Sequence, residues 1–291
     1  MGVATRSCVA PKCECTAWTA GRGMRTDRVE LEISSGMAHV RIVHAGKFNA
    51  MSRAMWHELR RVFERIQGSD AVRCVLMQGA DGNFCAGGDI SEYPSFRFDA
   101  ERLHDFHERE VWGGLQAMLD CDVAIVAQIQ GNCMGAGLEM ACCCDIRIAS
   151  TNARFGAPIA HLGFPMAPRE AQLVAREVGL ASAREMLLAA AVLDAASLRH
   201  RGFLHHVHDD NELAQQVHSL TQRIAGLAPQ AARLNKQTLR ALCGPAGASA
   251  AGPHEGNDAM TPLHSPYHYA ASAEHREGID AFLNKRKPVF K

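Results

Sequence analysis

The sequence predicts an α/β fold, and three observations predict it. Short apolar runs with strand character recur along the chain, glycine-containing turns and amphipathic stretches separate them, and from about Ser182 the pattern becomes helical. Repeated strand, turn and helix units imply parallel pairing with right-handed crossovers.

Taken in order, Val29 to Ile33 and Ala38 to Ile42 alternate apolar with polar residues and suggest a hairpin. The spacing then predicts a helix from about Ser52 to Gln67, with Met55, Leu59, Val62, Phe63 and Ile66 on one face. Cys74 to Met77, Ala124 to Ile129 and Ile146 to Ala149 are short strands separated by helices. Helical stretches follow at Glu185 to Ala191, Ala195 to Arg201, Glu212 to Ile224 and Pro229 to Leu242. The Gly/Ala/Pro-rich segment Gly244 to Gly256 predicts a flexible loop before a last helix near Ala273 to Arg286. No repeat of fixed period is present.

Composition sets the outer limits. With 291 residues, zero formal net charge and 47% apolar residues, the chain can bury a full core. It has no basic surplus for nucleic acid and no apolar run near the ~18 residues of a membrane span. The expectation is a soluble enzyme acting on a small molecule. Of 11 cysteines, Cys74, Cys121, Cys142, Cys143 and Cys144 fall inside core elements, where a reduced thiol behaves as a small hydrophobe, so we expect a reducing cytoplasm. Residues 1–23 lack the apolar stretch of a signal peptide and read as a disordered extension or an upstream start ahead of Met24. Their Cys8, Cys13 and Cys15 lack Cys-x-x-Cys spacing, and His205, His206 and His208 would be split between the faces of a strand, so no metal site is expected.

Two turns carry the chemistry: Asn83 to Asp89, with Gly87 and Gly88, and Gly131 to Glu139, with Gly135 and Gly137. Each follows an apolar run, and small residues let the backbone present unhindered N–H groups, the second at the start of a helix. Ordinary strand-to-helix turns would read the same way. The glycines of the second turn are spaced GxxxGxG, and no Gly-Lys-Ser/Thr follows, so dinucleotide and P-loop readings are weaker.

At these residues the chain resembles the crotonase family, the enoyl-CoA hydratase/isomerase superfamily. The resemblance runs from about Val29 to the C-terminus. It takes in Asn49-Ala50-Met51-Ser52, Phe84-Cys85-Ala86-Gly87-Gly88-Asp89, the Gly131 to Glu139 turn, Cys144 to Ala149, Arg154-Phe155-Gly156, Glu277-Gly278 and Phe282 to Pro288. It implies a β/α spiral core over residues 24–190 and a helical C-terminal region over 191–291 that packs homotrimers or dimers of trimers. It also implies an acyl-CoA thioester substrate, with coenzyme A entering only as part of that substrate and no separate cofactor. By resemblance, the N–H groups of Gly88 and Ala136 form an oxyanion hole and Glu139 is the first catalytic carboxylate. Ala86 and Asp89 then join the CoA-ester site, and Lys285 reaches the ADP phosphates, often across a subunit boundary.

Charge builds on the thioester oxygen when a nucleophile adds or an α-proton leaves, and one preorganised donor to that oxygen is worth roughly 3 kcal/mol. Glu139 lies three residues beyond Ala136, about one helical turn on, in reach of the reacting carbons. The family's second carboxylate falls at Ile159 and is missing, and the glycine-rich turn after it reads Phe164 to Glu170. His161 and Glu170 are the nearby groups able to substitute; His161 would share a face with Ile159 in an extended segment but not in a helix. Hydration of a 2-enoyl-CoA is the expected reaction. Isomerisation, thioester hydrolysis, decarboxylation and binding without turnover remain the alternatives.

Overall fold

The computed structural model describes residues 26–243 and 266–290. The N-terminal extension and the Gly244 to Gly256 loop lie outside them.

The hairpin is present as β1 (Asp27–Ser34) and β2 (Met37–His44), paired antiparallel. Ser52 then caps α1 (Arg53–Gln67) by accepting from the Met55 N–H, and α1 buries Met55, Trp56, Leu59, Phe63 and Ile66. Next come β3 (Cys74–Gly79), α2 (Ala100–Asp105), a π-helical turn (Phe106–Val111) and α3 (Trp112–Asp120). The following elements are β4 (Ala124–Ile129), β5 (Asn132–Met134), α4 (Ala136–Cys142), β6 (Ile146–Ser150) and β7 (Arg154–Gly156). After these come α5 (Pro168–Val178), α6 (Leu180–Leu188), β8 (Val192–Asp194), α7 (Ala195–His200) and β9 (His206–His208). The helices α8 (Asp210–Ala225), α9 (Pro229–Cys243) and α10 (Ala273–Leu283) complete the described chain.

Two sheets organise these elements. The larger runs β1-β2-β3-β4-β6-β9, parallel beyond the hairpin, and the smaller runs β5-β7-β8. Each turn of the chain gives a strand to the large sheet and then a short strand to the small one: β4 is followed by β5, and β6 by β7. In the turn after β3, Cys85 plays that second part through an isolated parallel bridge to Cys133. The result is a spiral of β/α turns.

The central strands are buried on both faces, as parallel strands under helices must be. Val75, Met77, Ile125, Ala127 and Ala149 enter the main core with α1 and α3. Their neighbours Cys74, Leu76, Val126 and Ile148 point the other way, onto Leu213, Val217 and Ile224 of α8. The core cysteines Cys74, Cys85, Cys121, Cys133, Cys142, Cys143 and Cys144 are buried and free.

Candidate active site

The two glycine turns lie side by side. The Phe84 N–H donates to Gln130 O and the Cys85 N–H to Asn132 O (both 2.8 Å), and the Met134 N–H donates to Cys85 O at 2.9 Å. Gly137 makes this approach feasible, because a Cβ there would sit 2.5 Å from the Cys85 carbonyl oxygen.

On its other side the first turn is pinned by Met51, which donates to Gly87 O and accepts from the Asp89 N–H, each at 2.8 Å. In a parallel bridge those bonds flank residue 88, so the Gly88 N–H is turned away from Met51. The Ala136 N–H opens α4, where the first amides have no intrahelical acceptor. Among the described residues neither N–H donates to a protein group. Gly88 and Ala136 both line one cavity of about 210 Å³, together with Ala86, Glu139, Ile159 and Glu170.

Glu139 is 5% exposed and Glu170 is 4% exposed, and both open on this cavity. Glu139 is carried by α4, whose seven residues are all buried. Glu170 is the third residue of α5, where Pro168 starts the helix. Burial, and next the charge of Glu170, push Glu139 well above the usual carboxylate range, with His107 opposing. Burial likewise pushes Glu170 up to about 8, with Arg97 opposing. Two like carboxyls buried in one cavity do not both ionise readily, so near neutral pH the pair retains a proton.

His107, in the π-helical turn, lies 2.7 Å from Glu170 through Nδ1 and Oε1. Burial and then the Arg97 charge lower its pKa, so the contact is between a neutral imidazole and a carboxyl that shares a proton with it, rather than an ion pair. Tyr93 stands over the first turn: a Cβ on Gly88 would be 2.3 Å from its hydroxyl oxygen, so a larger residue there would displace the ring. Burial pushes the Tyr93 phenol up to about 12, leaving it a hydrogen-bond donor at neutral pH.

The other candidate residues fall in different places. His161 lies in a 3-10 turn (Ile159–Leu162), is exposed and does not line the cavity, so the segment is not extended and the histidine does not share Ile159's face. Ile159 itself faces the cavity. Asp89 is buried but turned away from the cavity: it accepts from Lys47 Nζ at 2.7 Å and from Ser91 N and Oγ, and caps the turn that follows. Burial opposes its ionisation, but these bonds win and hold its pKa low. Lys285 is exposed and lies outside the cavity, while its neighbour Arg286 pairs with Glu277 and Asp280. His206 and His208 stack on one face of β9, whereas His205 accepts from the Arg147 N–H; among the described residues no cluster suited to a metal ion occurs.

Sequence reasoning did not identify His107, Tyr93 or Arg97. For His107 the missing signal is the π register of Phe106–Val111, a feature often found at functional sites, which has no signature in apolar periodicity.

This fold, with paired glycine turns beside a buried carboxylate, defines an α/β protein of the crotonase type. A family model described as enoyl-CoA hydratase/isomerase matches residues 32–291, and the chain belongs to that family. A short-chain-enoyl-CoA hydratase of Clostridium acetobutylicum is 30% identical over 217 residues, covering 74% of this chain and 82% of the relative. A crotonyl-CoA hydratase of Syntrophomonas wolfei is 28% identical over 92% of this chain and 99% of its own. Among solved structures, an enoyl-CoA hydratase/carnithine racemase from Magnetospirillum magneticum superposes with a TM-score of 0.82 at 30% identity, covering 92% of this chain and 96% of that one.

Proposed function

We propose that this protein hydrates a 2-enoyl-CoA, with Glu139 and Glu170 as the working pair of carboxyl groups. The observation that carries the reading is that both buried carboxyls and the two unengaged N–H groups of Gly88 and Ala136 line a single cavity. The thioester oxygen rests on the two N–H groups. One carboxyl, ionised, takes a proton from water while the water oxygen bonds to the β-carbon; the electron pair of the double bond moves onto the thioester oxygen as an enolate. The other carboxyl, protonated, then gives its proton to the α-carbon, so one water is added and the pair regains its starting proton count. Raised pKa values suit this division, since one group must be an acid and its neighbour a base at the same pH.

Glu170 answers the loss of a carboxylate at Ile159. It comes from the start of α5 rather than from the turn that carries Ile159, and His107 fixes its orientation. This favours catalysis over binding alone, because burying a second acid costs stability that a CoA-ester carrier has no need to spend.

Loss of the conjugated thioester absorbance of crotonyl-CoA tests the reading. Turnover by the parent chain, with kcat reduced about 100- to 10,000-fold in both E139Q and E170Q, is the expected result. Turnover unaffected by E170Q would remove Glu170 from the reaction, and no turnover beside intact CoA-ester binding would favour the binding reading. We also propose, from the family, that copies associate through the helical C-terminal region, where α10 buries only Ala281 in its own chain.

A further inference from the structure

Four arginines in the described structure lie over aromatic rings, and three of them also meet an acid. Arg53, over Phe96, pairs with Glu110; Arg147, over Phe203, lies 3.6 Å from Glu177; Arg169, over Trp112, lies 3.4 Å from Glu108. Arg97 differs. Its guanidinium carbon is 3.4 Å from the ring centre of Phe164 and 4.7 Å from that of Tyr93, and among the described residues no carboxylate or carbonyl takes its side-chain N–H groups.

Arg97 lines the same cavity as Gly88, Glu139 and Glu170. Close contact over the Phe164 ring, with Tyr93 alongside, restrains the guanidinium but leaves its N–H edges open to receive a carboxylate in a two-pronged contact. Its charge lowers the Glu170 pKa against the effect of burial, and among the described residues the two do not form an ion pair. Tyr93 sets the distance: its hydroxyl lies over Gly88 and its ring under Arg97, so the guanidinium stands about one aromatic side chain away from the oxyanion donor. The wall between them is aromatic, with Phe106 and Phe164 packed edge-on to Tyr93.

We propose that Arg97 binds a carboxylate at the far end of a short acyl group, so that the substrate class is the CoA ester of a dicarboxylic acid. This rests on the acyl-CoA reading of the site but not on hydration as the reaction. The acyl chain runs from the two N–H groups past Tyr93 to Arg97, with its reacting carbons between Glu139 and Glu170.

Calorimetry with freshly prepared saturated esters, which have no double bond to hydrate, separates the two readings. Succinyl-CoA and butyryl-CoA have equal chain length and differ only at the end, and both are titrated into the parent protein and R97M. The expected result is affinity about 10- to 100-fold higher for succinyl-CoA in the parent, the worth of a charge-assisted contact, with the preference lost in R97M. Equal affinities in the parent, or a preference that survives R97M, would overturn the proposal. Equal loss for both esters in R97M would assign Arg97 to the coenzyme A phosphates and overturn it too. Failure of either ester to bind the parent would defeat the acyl-CoA reading itself, and this proposal with it.

Discussion

Glu170 sits where its burial is costly, and that cost is measurable. Its carboxyl is held up at about 8 against an ordinary 4.5, so between those two values the folded chain keeps a proton that the unfolded chain has shed. The folded state therefore binds more protons across that window, and stability falls as pH rises through it, the contribution being complete only below about 4.5. E170Q removes the titration: we expect a flatter melting temperature between pH 5 and 8.5, and a gain on the order of 1 kcal/mol at the alkaline end, in the variant that loses activity. A steeper profile in E170Q would contradict this. In the parent, turnover should fall above about pH 8 as the pair gives up its retained proton. Ile159 offers a second test at this scale. I159E alone crowds a third acid into the cavity and lowers activity, whereas in an E170Q background it restores a carboxyl and should recover at least about tenfold in kcat.

The elements determine which residues meet, and they differ in how far the sequence revealed them. The parallel strands β3, β4 and β6 were legible because burial on both faces demands continuous apolar runs. The two glycine turns were legible because close backbone approach admits only small residues. G137A tests that approach directly: its Cβ would collide with the Cys85 backbone, so we expect a loss of about 1–3 kcal/mol in stability and a larger proportional loss of turnover as the turns part. Unchanged kinetics would mean that the spacing of the turns does not matter. The start of α5 was visible as a departure from a glycine-rich turn, yet its meaning was hidden. Pro168 at the first helical position and Glu170 two residues on mark a helix start, but only three-dimensional packing shows that this end faces the cavity. His107 was illegible for a different reason, since a π-helical turn shifts side chains by an amount that no helical period predicts.

At the scale of the whole molecule, α9 and α10 are less well covered than the spiral. Leu239 and Leu242 on α9, and Ile279, Phe282 and Leu283 on α10, are all more than half exposed, while the core of α10 is Ala281 alone. Such faces are expected to be covered by further copies, and light scattering should return the mass of three or six chains; a monomer at micromolar concentration would contradict this. Assembly is also the route by which Lys285, exposed and remote from the cavity in its own chain, could approach a coenzyme bound to a neighbour. The proposed chemistry depends on where the thioester oxygen rests. A crystal structure with an unreactive acyl-CoA measures it: the oxygen should lie about 2.7–3.1 Å from both the Gly88 and the Ala136 amide nitrogens, with Glu139 and Glu170 flanking the α- and β-carbons. An ester bound with its carbonyl directed away from either nitrogen would contradict the account.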